Sequence, residues 1–151
     1  ATIDEAYVNK VLAALDAVDG EATRLIVQNR NLVPEATARL RAIYDESEFR
    51  EQVDVWLRQL QEGLRNFKPD PGPQRTTVRR VVSASATCVF SEVQQEFSAA
   101  AIEPSAPNRA FVQLVPLDRS RDQRRLNTTA WMIRQEGDTA DGSDPGDLCA
   151  G

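Results

Sequence analysis

No histidine occurs anywhere in the chain. Its absence removes Ser-His-Asp and Cys-His nucleophile activation, histidine-dependent acid–base dyads and the usual zinc sites. Cysteine is limited to Cys88 and Cys149, with no Cys-x-x-Cys pair and no metal-ligand spacing, so a redox motif and a metal centre are both unexpected. No apolar run approaches the ~18 residues that a membrane-spanning helix needs, and no signal-peptide pattern is present. Lysine is confined to Lys10 and Lys68 while arginine is abundant. Basic residues never alternate with aromatics as a strand-binding groove requires, so nucleic acid is not an expected partner. Gly137 and Gly142 have no strand-to-helix context, which leaves no phosphate loop. No cofactor is implied. The chemistry still open is that of carboxylates and tyrosines: a buried Asp or Glu of raised pKa as base, and Tyr7 or Tyr44 as hydrogen-bond donor to a developing oxyanion.

What is present describes a protein that folds. With 151 residues, 41% hydrophobic and 27% charged, the chain suits one domain with its own core. The net charge of −5 is unevenly spread. Acids exceed bases up to Asp70, bases exceed acids from Arg75 to Arg134, and only acids follow. The first residue is Ala1 with a helix-start signal directly behind it, which predicts a trimmed product with a signal peptide, an anchor or an artificial boundary upstream.

Residues 2–67 read as the helical half. Thr2 and Glu5 form a capping box, and Val8, Val11, Leu12, Leu15 and Val18 recur at helical spacing until Gly20, a candidate terminator. A shorter helix carries Ala22, Leu25 and Ile26 and ends at Asn29 and Asn31. Pro34 suits the first turn of a third helix, with Ala36, Leu40, Ile43 and Tyr44 as its buried stripe. Asp45 and Glu48 make a second capping box. Behind it Phe49, Val53, Trp56, Leu57, Leu60 and Leu64 form the strongest stripe, stopping before Lys68 and Pro69.

After the stiff connector of Pro69 to Pro73 the period changes. Residues 75–136 form the sheet half, with strands near 75–83 and 88–98 separated by the polar break Ser83 to Thr87, then Ala110 to Leu117 and Thr128 to Gln135. Helices followed by a four-stranded meander make an α+β fold, with helices packed on one face of an antiparallel sheet. Strands three and four carry apolar groups on both faces, so the second face is expected to be covered by a helix, by the tail or by another subunit. The acidic tail, 137–151, spaces Asp138, Asp141, Asp144 and Asp147 by three, which does not match the alternating ligands of a calcium loop. Asn127-Thr128-Thr129 matches a glycosylation acceptor, a pattern that matters only in a eukaryotic secretory pathway.

The order of a long first helix, further helices ending in one that bears a Trp, and then long strands resembles the nuclear-transport-factor-2-like (cystatin-like) superfamily of α+β rolls. The stretches "CVFSEVQQEFSA", "FVQLVPLDR" and "NTTAWMIRQEGD", with a Cys near the terminus, are similar to secreted or membrane-tethered actinobacterial proteins carrying such a domain. The resemblance implies a curved, cone-shaped sheet enclosing a pocket with the helices, and a convex face available for pairing. Fold alone does not fix the function, since that family hosts both enzymes and binding modules.

Two functional readings follow. The first is a non-catalytic extracytoplasmic binding or assembly module of the cell envelope or a secretion system. It would meet a protein partner or a second copy through Phe111, Val115 and Leu117, and a membrane only through an upstream anchor. The second is an enzyme or small-molecule carrier whose cone pocket is lined by Tyr44, Trp56 and Trp131. The cysteines speak to compartment. Cys88 and Cys149 are expected to pair, closing a long loop and implying an oxidising location; the alternative is two free thiols in a reducing one.

Overall fold

A computed structural model of the chain describes residues 2–139 and 145–150. It begins with α1 (Glu5–Asn29), a helix of 25 residues. Its N-terminal amides are capped by Asp4, whose carboxylate accepts from the Tyr7 N–H at 2.9 Å; Thr2 takes no part in that cap. The expected break at Gly20 does not occur. Gly20 stays helical, and glycine is needed there for a different reason: a Cβ at this position would lie 2.5 Å from the Pro73 Cβ. The connector therefore rests directly on the helix backbone. Two expected helices become one, which ends at Arg30 in the left-handed region.

The second helix, α2 (Pro34–Ile43), carries Pro34 in its first turn as expected and buries Ala36, Leu40, Ala42 and Ile43. Tyr44 then turns extended and pairs with Ile133, while the Asp45 N–H donates to the Ile133 carbonyl at 2.9 Å. Asp45 caps α3 (Glu46–Gln61) by accepting from the Glu48 N–H at 3.0 Å. This helix stops short of Leu64, because Gly63 and Leu64 both take positive φ and leave the helical path.

The strands are β1 (Arg75–Ala84), β2 (Val89–Glu96), β3 (Asn108–Pro116) and β4 (Trp131–Asp138), joined antiparallel in the order β1-β2-β3-β4. The polar break expected at residues 83–87 is a tight turn closed by the Ser85 N–H to the Cys88 carbonyl. The loop after β3 contains a short 3₁₀ turn, Asp122–Leu126. Inward residues of β2 to β4, among them Val93, Val112, Leu114 and Ile133, meet the buried stripes of α1 and α2 in one hydrophobic core. The fold is α+β as expected, with three helices instead of four and a sheet that is not closed. No described helix is long and apolar enough to cross a membrane.

Candidate functional site

The site forms where α1, the α2–α3 corner and β4 converge, and a β-bulge makes it. In β4, Trp131 and Ile133 face inward opposite Pro116 and Leu114. Strict alternation would next turn Gln135 inward and Glu136 outward. Between Leu114 and Gln113 the register shifts, leaving Arg134 as the extra residue, so that Gln135 opposes Gln113 and Glu136 opposes inward-facing Val112. One bulged residue thus brings a carboxyl group to the core side of the sheet.

Helix α3 holds it there. Glu48 caps nothing with its own side chain, because the Asp45 N–H is already given to Ile133. Its carboxylate instead accepts from the Glu136 N–H at 3.1 Å and from Gln52 Nε2 at 3.2 Å. Gln52 Nε2 also donates to Glu136 Oε1 at 3.0 Å. From the corner, the Tyr44 hydroxyl lies 3.0 Å from Asp19 Oδ1 and 3.2 Å from Glu136 Oε1. Tyr44 is 1% exposed. Its backbone is fixed by Arg121, whose Nη1 donates to the Arg41 and Tyr44 carbonyls at 2.6 Å each.

These groups share fewer protons than they have acceptors. A phenol carries one proton, so Tyr44 can donate to Asp19 or to Glu136 but not to both. Burial pushes Glu136 up to about 8, helped by the negative charges of Asp19 and Glu48 and opposed by the Tyr44 hydrogen bond. Burial raises Asp19 to about 6 against the Tyr44 hydrogen bond. Glu48 is raised by burial and Tyr44 is held well above the usual phenol value by burial and by Asp19. At neutral pH the consistent arrangement is a protonated Glu136 donating to Tyr44, which donates to an ionised Asp19. A neutral acid and a charged one lie on either side of a single hydroxyl.

Above this floor is a cavity of about 160 Å³. Trp56, Phe67, Phe97 and Ala100 make its apolar wall, with Trp56 and Phe67 ring centroids 5.3 Å apart. Asp19, Tyr44, Gln52 and Glu136 make its polar end. Val55, 39% exposed, sits among the lining residues on the outer side of α3.

The structure brings Tyr44 and Trp56 together at this cavity. Trp131 does not line it: the indole N–H donates to the Tyr7 hydroxyl at 2.8 Å, within the core. Phe111, Val115 and Leu117 are on the other side of the sheet or beyond its end, and all three are half-buried. Phe111 packs on Phe90 with ring centroids 6.0 Å apart. Val115 lines a shallow depression beside the chain end, and the Leu117 N–H donates to the Ala130 carbonyl. Cys88 and Cys149 are disulfide-bonded, with Cα atoms 5.8 Å apart. Asp147 and Leu148 lie against the sheet beside that bond, where Gln113 Nε2 donates to the Leu148 carbonyl and Ser83 Oγ to Asp147. Of the four tail acids, Asp141 and Asp144 lie outside the described residues. Among the described residues no group of three acidic or cysteine side chains is placed to hold a metal ion. Asn127, the glycosylation candidate, is 5% exposed and donates its amide to the Ala42 and Trp131 carbonyls. It is a structural cross-link and is closed to a glycan.

Sequence reasoning missed Asp19, Glu48, Gln52 and Glu136. Helical arithmetic could have found the first three: Asp19 follows Leu15 by four, and Glu48, Gln52 and Trp56 are spaced by four on one stripe. Glu136 has no such signal, because only the bulge turns it inward. Comparison with known proteins gives no match to a protein-family model, to a curated protein or to a solved structure.

Proposed function

We propose that the protein is an extracytoplasmic small-molecule-binding domain of the nuclear-transport-factor-2-like type, with the cavity above Asp19, Tyr44 and Glu136 as its working site. The observation that carries the reading is an apolar hollow ending in a few convergent, strongly perturbed polar groups, the usual composition of a ligand pocket. The order of helices before a meander, with the hollow on the helix side, supports the family likeness. The Cys88–Cys149 bond is compatible with an oxidising compartment and supports the location. A protein partner on the outer face has less to work with, since Leu148 is bonded to Gln113 there and Phe90 is 3% exposed. The separation of Asp19 from Glu136 favours acid–base catalysis as a second reading, with Asp19 as base and protonated Glu136 as acid.

The test is a thermal-shift screen of small aromatic compounds on the intact protein and on Val55→Trp, which places bulk at the mouth. Binders that raise Tm in the native protein and lose the effect in Val55→Trp support the pocket. Binding that survives the plug, or no binder at all, contradicts it.

A further inference from the structure

The lining of the cavity also selects a ligand class, a step that rests on the pocket reading above. Every charged side chain along it is acidic, and its other polar members are amides, a threonine and Tyr44. Arg121, the cation braced against Tyr44, is committed to two backbone carbonyls. Hydrogen-bond acceptors outnumber protons at the floor. With Glu136 donating to Tyr44 and Tyr44 to Asp19 Oδ1, Asp19 Oδ2 and Glu136 Oε2 still accept no hydrogen bond from a described residue. The apolar wall includes the aromatic rings of Trp56 and Phe67, a residue type that attracts positive charge. A void of about 160 Å³ matches roughly the 150 Å³ that admits a benzene ring.

We propose that this cavity receives a small organic cation, an ammonium on a body of about benzene size. The N–H groups take the place of the proton shared over Asp19, Tyr44 and Glu136, and the body lies on the Trp56 wall. The ammonium enters intact, the Glu136 O–H bond breaks with its electron pair left on the carboxylate, and that proton leaves to solvent. The groups facing the cation are Asp19 from α1, Tyr44 from the corner, Gln52 from α3 and Glu136 from β4, with Glu48 and Asp16 adding negative charge behind them. Raised carboxyl pKa values near 6 and 8 support the same picture, since each falls when a cation arrives.

Three aromatic probes of similar size and different charge test it: benzylamine, benzyl alcohol and benzoate, titrated calorimetrically into the intact protein at about pH 7.5 in two buffers of different ionisation enthalpy. The expected result is benzylamine bound about tenfold more tightly than benzyl alcohol, benzoate excluded, and a buffer-dependent heat showing proton release for benzylamine alone. Glu136→Gln and Asp19→Asn together should bring the first two probes to equal affinity while keeping benzyl alcohol bound; Asp19→Asn removes a charge and Glu136→Gln exchanges a neutral acid for a neutral amide, so the fold is retained. Benzyl alcohol or benzoate binding as well as benzylamine would overturn the cation and leave the pocket standing. Failure of all three probes would overturn the pocket as well.

Discussion

Glu136 is a carboxyl group held where its charge is disfavoured, and its neighbours make the cost visible in pH. Folding raises it from 4.5 to about 8, and raises Asp16 and Asp19 from 3.8 to about 7 and about 6. Between about pH 4 and 8 the native state therefore binds more protons than the unfolded chain, so stability falls as pH rises through that window and levels off above it. Urea unfolding at pH 5 and pH 8 should show the native protein less stable at pH 8. Glu136→Gln should raise stability at pH 8 by on the order of 2 kcal/mol, allowing for water in the cavity, and flatten the dependence above pH 6. A native protein more stable at pH 8 than at pH 5 would contradict the assignment. At this scale the sequence was partly legible. Trp56 falls on a helical stripe, and Tyr44, expected on the stripe of α2, is buried as expected but one residue beyond that helix, in extended backbone. Glu136 could not be placed from spacing, because a bulge is a property of two paired strands and leaves no period in one.

At the scale of elements, an open antiparallel sheet has two edges, and side chains from the helices occupy both. On β1, the Thr76 N–H donates to Asp16 Oδ2 at 2.7 Å and the Val78 N–H to Asn9 Oδ1 at 2.8 Å, both from α1. On β4, Glu48 takes the Glu136 N–H and the Asp45 N–H reaches the Ile133 carbonyl. Blocked edges oppose strand-to-strand association. Asp16→Ala would strand a buried amide and should cost about 1–3 kcal/mol in denaturant unfolding, with β1 amides exchanging faster. Gly20 gives a test of sign. Helix propensity alone says that Gly20→Ala stabilises by up to about 1 kcal/mol, whereas contact with Pro73 predicts a loss of about 1–3 kcal/mol from overpacking. The contact argument expects a lower Tm. The same residue shows why element boundaries were only half legible: a glycine that ends a helix and one that admits a neighbour look alike until the neighbour, here 53 positions away, is known. The change of period after Pro73 needed no such partner and is present as expected, whereas the α3 stripe holds only in part: Phe49 and Trp56 are buried, Leu57 is 52% exposed, and Leu64 is buried beyond the helix end.

For the whole molecule, the chain is tied at its end to the first hairpin. The Cys88–Cys149 bond spans a separation of 61 residues that includes β2, β3 and β4. In the chain-entropy model such a loop contributes roughly 4 kcal/mol, so reduction, or Cys88→Ser with Cys149→Ser, should lower Tm by about 10 °C. An unchanged Tm would mean the strap only lies on the surface. The pairing was legible because two cysteines without metal spacing leave few options; the face the strap crosses was not, since that depends on where Gln113 and Ser83 stand in the folded sheet. Carbon-detected NMR titration of the side-chain carboxyls reads out the hollow's floor, an acid pair sharing a proton through Tyr44. Glu136 is expected to titrate near 8 and Asp19 near 6. Both groups titrating between about 3.5 and 4.5, like exposed carboxylates, would contradict that arrangement.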